Sequence, residues 1–182
     1  MPINETYRFD NNNHFDAEFC LQQNTALLQL RASGRCDVNI LELCDRQTAA
    51  VRVNASVAEA IRVMLSCAVG GVAVLDDDRH VLGIFTERDV LVKLALSRRD
   101  PAGTPILDLM TTGVETAKVD ITAGEALSLM LERHFRHLPI VDEGGRLLGI
   151  LSLRNLLQWR ADDMSRELDA LEQYYSNDSL GG

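Results

Sequence analysis

The sequence predicts an α/β (α+β) fold of two pseudo-twofold-related repeats, each helix–strand–strand–helix with a short leading strand, plus helices at both ends. Three observations predict it. Placing Gly83 on Gly149 sets an offset of 149 − 83 = 66 residues, which holds without a gap over residues 40–91 and 106–157. Each half then carries a capping-box signature ahead of an apolar helical stripe. Each half also carries two short apolar runs around a polar turn, the pattern of a hairpin.

The offset pairs Ile40 with Ile106, Leu43 with Leu109, Val53 with Val119, Met64-Leu65 with Met130-Leu131, Asp76 with Asp142 and Leu91 with Leu157. Short extended segments, Thr48–Val53 and Val114–Val119, lead the two units. In "SVAEAIRVMLS" the box is Ser56 with Glu59, and Ala60, Ile61, Met64 and Leu65 share one helical face; "TAGEALSLMLER" repeats it with Thr122 and Glu125. The hairpins follow in "GVAVLDDDRHVLGIF" and "HLPIVDEGGRLLGIL", turning at Asp76–Arg79 and Asp142–Gly145. Their strands are too apolar to face water on both sides. One such unit cannot cover its own sheet, whereas two side by side can. "SRRDPAGTP" (Ser97–Pro105) connects them, with Pro and Gly where a helix has to stop. The resulting division is 1–38 as an N-terminal extension, 39–97 as the first repeat, 98–105 as linker, 106–160 as the second repeat and 161–182 as a C-terminal helical extension and tail.

Composition bounds the chemistry. The 182 residues carry a formal net charge of −9, which argues against a nucleic-acid or anionic-membrane surface. No apolar run is long enough to span a bilayer, and the polar, acidic start is unlike a secretory signal. Cys20, Cys36, Cys44 and Cys67 form neither C-x-x-C nor zinc-like spacing, so free thiols in a reducing cytoplasm are expected. "RHFRH" (Arg133–His137) offers His134 and His137 but no acid or thiol spaced to complete a metal site. No nucleophile elbow, P-loop or H-E-x-x-H occurs, so no enzyme activity and no required cofactor are expected.

The junction from strand to second helix is written twice, as "GIFTERD" and "GILSLRN". Gly83 and Gly149 lie inside apolar strands, where a missing side chain admits another backbone or a ligand. Thr86 and Ser152 stand at N-cap positions, and the first helical turn beyond them favours an anion such as phosphate. Asp89 shares a helical face with Thr86, and an ionised carboxylate accepts hydrogen bonds from paired ribose hydroxyls.

A capping-box helix, the strand His137-Leu138-Pro139-Ile140-Val141-Asp142, the Gly-h-h-[Thr/Ser]-x-x-[Asp/Asn] junction and the leading "LMTT" (Leu109–Thr112) together resemble a pair of CBS (cystathionine-β-synthase-type) domains, a Bateman module, over Ile40 to Leu157. The resemblance implies a regulatory module that binds an adenosine-containing ligand (AMP, ADP, ATP or S-adenosylmethionine) between the repeats and modulates a partner protein. In such modules the junction Asp holds the ribose, the junction Thr lies near the phosphate, and basic residues of the other repeat meet the phosphates. Carried onto this chain, the first cleft uses Thr86 and Asp89 facing Arg136, His137 and Arg154, with adenine near Val114 and Glu115. The second, weaker cleft uses Ser152 and Asn155 with Arg88 as its cation, opposite Gly70 and Gly71. The contrasting reading is an interaction protein with vestigial clefts, acting through its terminal helices.

Beyond the second junction, Leu157, Met164, Leu168, Leu171 and Tyr175 form an a/d-like stripe on one long helix. It either lies on its own domain or forms a contact in a homodimer, as modules of this type pair into discs. An N-terminal stripe of Phe15, Phe19, Ala26, Leu27 and Leu30 suggests another packed helix.

Overall fold

The computed structural model describes residues 38–45 and 49–178; the N-terminal stripe, Cys20 and Cys36 lie outside them. The first repeat contains α1 (Ile40–Leu43), β1 (Cys44–Asp45), β2 (Ala50–Arg52), α2 (Val57–Cys67), β3 (Gly71–Leu75) and β4 (Val81–Thr86). Its closing helix is broken into α3 (Glu87–Asp89), a π-helical turn (Val90–Leu94) and α4 (Ala95–Ser97). The second repeat opens with a 3-10 turn (Ile106–Asp108) and continues through β5 (Thr111–Thr112), β6 (Ala117–Lys118), α5 (Ala123–Glu132), β7 (His137–Val141) and β8 (Leu147–Ser152). It ends in α6, a single helix over Leu153–Asp178.

Both capping boxes close as the spacing predicts. The Glu59 carboxylate accepts from Ser56 N at 2.6 Å while Ser56 Oγ accepts from Glu59 N at 3.3 Å. Glu125 and Thr122 repeat the exchange at 2.9 and 3.2 Å. Each cap satisfies donors that the first helical turn cannot pair internally, worth about 1 kcal/mol. The hairpin turns also match: Asp76 N donates to His80 O at 3.1 Å and Asp142 N to Arg146 O at 2.9 Å. Arg79 and Gly145, the same repeat position, both take a positive φ there.

Two four-stranded sheets result, ordered β2-β3-β4-β5 and β1-β8-β7-β6. In each, a parallel pair crosses over through a helix and an antiparallel hairpin follows. The fourth strand was not anticipated: β1 of the first repeat pairs with β8 of the second, and β5 of the second pairs with β4 of the first. The repeats therefore exchange their leading segments. Ile40 is buried in the core built on α5, β7 and β8, while Ile106 is buried in the core built on α2, β3 and β4. The glycines expected to admit a close neighbour receive these strands. A Cβ on Gly83 would meet Thr111 O at 2.6 Å, and one on Gly149 would meet Cys44 Cβ at 2.9 Å.

A third cluster, Ala50, Ala73, Leu75, Leu147 and Ile150, is shared between the repeats. Residues 66 apart face one another across the pseudo-twofold axis: His80 bridges to Arg146, and a Cβ on Gly71 would stand 3.4 Å from His137 Cε1. The C-terminal stripe is not buried on its own domain, since Leu157, Met164 and Leu168 are half-exposed or more. The side chains of Leu171 and Tyr175 fall outside what is described.

Candidate functional site

The first junction is a closed polar knot. Thr86 caps α3, its Oγ1 accepting from Asp89 N at 3.4 Å. Asp89 Oδ2 accepts from Thr86 N at 2.9 Å and from Thr86 Oγ1 at 2.8 Å. Its Oδ1 meets Lys93 Nζ at 2.8 Å and accepts from Thr111 Oγ1 at 3.3 Å. Lys93 Nζ also donates to Leu109 O at 2.9 Å and Thr111 Oγ1 at 3.1 Å, tying the π-helical turn to the exchanged strand. Asp89 is 7% exposed. Burial by itself would raise its carboxyl, but the hydrogen bonds from Lys93 and Thr86 and the Lys93 charge outweigh it and hold the acid below the usual range. The carboxylate is thus ionised and already receives four donors, so a ligand hydroxyl has to replace one of them; Thr111, the longest contact, is the weakest of the set.

The second junction differs in kind. Ser152 Oγ accepts from Asn155 N at 3.2 Å, which repeats the cap. The Asn155 amide, however, turns toward the exchanged segment, donating to Leu43 O at 3.1 Å and to Asp45 Oδ1 at 2.8 Å. Asp45 occupies the repeat position of Thr111. A carboxylate on the junction with a hydroxyl on the exchanged strand becomes an amide on the junction with a carboxylate on the exchanged strand. The second junction therefore does hold an acid. Burial raises the Asp45 carboxyl above its ordinary value, and the Asn155 hydrogen bond and the charges of His137 and Arg154 only partly offset this.

His137 lies between the two junctions. Its ring is beside Gly70 and Gly71, and the Cβ position of Gly71 is 3.1 Å from Thr86 Cγ2. The glycines leave room for the imidazole. Burial lowers the pKa of His137 and Arg136 lowers it further, against smaller opposing effects of Asp45 and Glu87. Arg136 is exposed just before β7, its carbonyl accepting from Leu153 N at 2.9 Å. Glu87 N donates to Gly70 O at 3.1 Å in the equivalent place. Arg88 and Arg154 are exposed in the first turns of their helices. Val114 is half-buried in the loop after β5, and the exposed Glu115 pairs with Arg133 at 3.8 Å.

Thr86, Asp89 and His137 are thus brought together at the repeat boundary, as are Asn155, Ser152 and Arg154 on the other side. Sequence reasoning missed Lys93, Thr111 and Asp45. The 66-residue offset itself carried the signal for Asp45, by placing it on Thr111 of the "LMTT" strand. Elsewhere, burial pushes the Cys44 thiol up to about 12, with the neighbouring Asp45 charge adding to the effect, so it is not poised as a thiolate. Among the described residues no group of three His, Cys, Asp or Glu is placed to hold a metal ion, and no helix is long and apolar enough to cross a membrane.

Known proteins carry the same architecture. A model of the CBS domain matches residues 40–96 and 106–162. An uncharacterised 17.7 kDa protein of Acidianus ambivalens is 40% identical over 106 residues, 58% of this chain and 63% of that one. The chain thus spans less than two thirds of that relative. The crystal structure of an uncharacterised conserved protein from Pyrococcus horikoshii superposes with a TM-score of 0.61 at 30% identity, covering 70% of this chain and 95% of the other. That of CBSX2, described in complex with AMP, superposes with a TM-score of 0.58 at 26% identity, covering 68% and 96%. With two matched repeats, their strands exchanged and their junctions facing a common axis, the chain belongs to the CBS-domain family as a CBS pair.

Proposed function

We propose that the chain is a regulatory module that binds an adenosine-containing ligand of the AMP, ADP, ATP or S-adenosylmethionine class between its repeats and thereby modulates a partner protein. The observation that carries this reading is the convergence of Thr86 and His137, from different repeats, on the Gly71 backbone beside the buried, ionised Asp89. In this reading Asp89 takes ribose hydroxyls as Thr111 yields, and Thr86 and the N-terminal amides of α3 lie toward phosphate. Arg136, His137 and Arg154 supply positive or donor groups, and Val114 and Glu115 flank the adenine. Ser152, Asn155 and Arg88, facing Gly70 and Gly71, form the second, less cationic cleft. AMP in the CBSX2 structure supports this ligand class. A ligand spanning both repeats changes their relative angle, and a partner reads that change.

The half-exposed leucines of α6 favour a second element of this reading, a homodimer formed through that helix. The site of action is the cytoplasm, as the free thiols suggest. A thermal-shift series with AMP, ADP, ATP, NAD and S-adenosylmethionine tests the proposal. A ligand at about 100 times its Kd stabilises the fold by about 2.7 kcal/mol. Unchanged melting with all five ligands sinks the proposal in favour of an interaction module with empty clefts, and an AMP, ADP or ATP shift that survives Asp89→Ala undiminished removes Asp89 from the ribose role.

A further inference from the structure

The two junctions hold the same groups in opposite places. In the first, an acid on the closing helix (Asp89) accepts from a hydroxyl on the exchanged strand (Thr111) at 3.3 Å. In the second, an amide on the closing helix (Asn155) donates to an acid on the exchanged strand (Asp45) at 2.8 Å. The exchange changes how much acceptor capacity is left. Both oxygens of Asp89 are taken up by Thr86, Lys93 and Thr111. Asp45 uses Oδ1 for Asn155, and its Oδ2 makes no hydrogen bond or ion pair among the described residues. Asn155 spends its amide hydrogens on Asp45 and Leu43, leaving its carbonyl oxygen as an acceptor. The Ser152 hydroxyl accepts from Asn155 N and, unlike that of Thr86, has no carboxylate to donate to within its own turn.

We propose that Asp45 is the hydroxyl-recognising carboxylate of the second cleft, taking the vicinal hydroxyls of a nucleoside together with Asn155 and Ser152. The ligand class follows from the groups present. Two acceptor oxygens on side chains joined by a 2.8 Å hydrogen bond, one of them on a carboxylate, suit a cis-diol. Gly70 and Gly71 stand at the repeat positions of Arg136 and His137, so the charges that reach Asp45 come from His137 and Arg154. The desolvation that raises the Asp45 carboxyl also makes a hydrogen bond to its charged form stronger than one made in water. A purely structural role for Asp45 accounts for the bond to Asn155 but gives no reason for an acid, because an Asn at position 45 offers the same acceptor.

This inference rests on the adenosyl reading, and the test separates the two. Calorimetric titration of the full chain uses adenosine and 2′-deoxyadenosine as probes, with Asp89→Ala present to silence the first cleft. Adenosine is expected to bind this chain, to prefer it over 2′-deoxyadenosine, and to lose about 10- to 100-fold in affinity when Asp45→Asn is added. The 2′-deoxy probe is expected to bind both chains with similar weakness. Adenosine binding within twofold with and without Asp45→Asn overturns the proposal. So does an Asp89→Ala chain that binds no adenosine while the unmodified chain binds it or AMP; in both cases the adenosyl reading survives. Failure of the unmodified chain to bind either probe, AMP or S-adenosylmethionine overturns both. Equal melting temperatures of the variants exclude unfolding as the cause of a loss.

Discussion

A Cβ on Gly149 would stand 2.9 Å from the Cβ of Cys44 and 3.1 Å from its sulfur, although the two residues belong to different repeats. The matching contact in the other sheet is tighter, because Gly83 would meet the Thr111 carbonyl, a backbone atom, at 2.6 Å. Gly83→Ala and Gly149→Ala are each expected to cost about 1–3 kcal/mol, with Gly83→Ala the larger because its contact is closer; Cys44 Cβ is fixed to its strand and gives little more readily than a carbonyl. Urea unfolding midpoints at equal slope check the order. Equal stability of both variants with the parent contradicts the exchanged-strand packing.

Asp89→Ala removes a helix cap and leaves Lys93 with neutral partners only. The expected loss is about 1–3 kcal/mol, with Asp89→Asn milder because the amide can still accept from Thr86. The sign with pH follows from the depressed carboxyl: its contribution is present above pH 3.8, the unfolded value, and disappears as pH falls through the lower folded value. Acid titration of the parent and Asp89→Asn by circular dichroism is expected to show the parent losing its advantage only in that acidic range.

His137 has the opposite charge change and a window nearer neutrality. Burial, with Arg136 beside it, favours the neutral ring, and Asp45 and Glu87 only partly compensate. The folded state therefore resists protonation that the unfolded chain accepts near pH 6.5, so stability is full above that pH and declines as pH falls toward the depressed folded value. His137→Gln is expected to flatten the fall in melting temperature between pH 7.5 and pH 5. An identical slope in both proteins excludes a buried neutral imidazole at this position.

The α6 stripe gives a prediction about assembly. Met164 is 50% and Leu168 60% exposed, so Met164→Glu with Leu168→Glu is expected to change folding stability by about 0.5 kcal/mol or less per site. Sedimentation velocity is expected to move from dimer to monomer with the same pair of changes. A parent that sediments as a monomer removes the basis for a dimer through α6.

How far the fold was legible depended on whether a signal lay in consecutive residues. Ser56, Glu59, Thr122 and Glu125 announce their helices because both halves of each cap lie within one turn. The hairpins of β3 with β4 and β7 with β8 announce themselves by apolar runs, buried along nearly the whole of β3 and β7 and at the centres of β4 and β8. The exchanged strands do not. β1 and β5 are two residues each, too short for any period, and their pairing depends on the opposite repeat. The π-helical turn was equally hidden, since Val90–Leu94 reads as ordinary helix until Lys93 is seen reaching Leu109 and Thr111. At the site, Thr86, Asp89 and Asn155 were visible from the repeated phrase. The acid paired with Asn155 lies on β1, far from it in sequence and outside the repeated phrase.

The exchange of β1 and β5 also fixes what a single half can be. Neither half contains all the strands of its own sheet, so an isolated repeat lacks the edge strand and the buried isoleucine that the other supplies. Substitutions in the first half reach the second sheet directly through Cys44 and Asp45, and those in the second half reach the first through Met110 and Thr111. The halves are tenants of each other's sheets, and Asp89–Thr111 and Asn155–Asp45 both straddle that boundary.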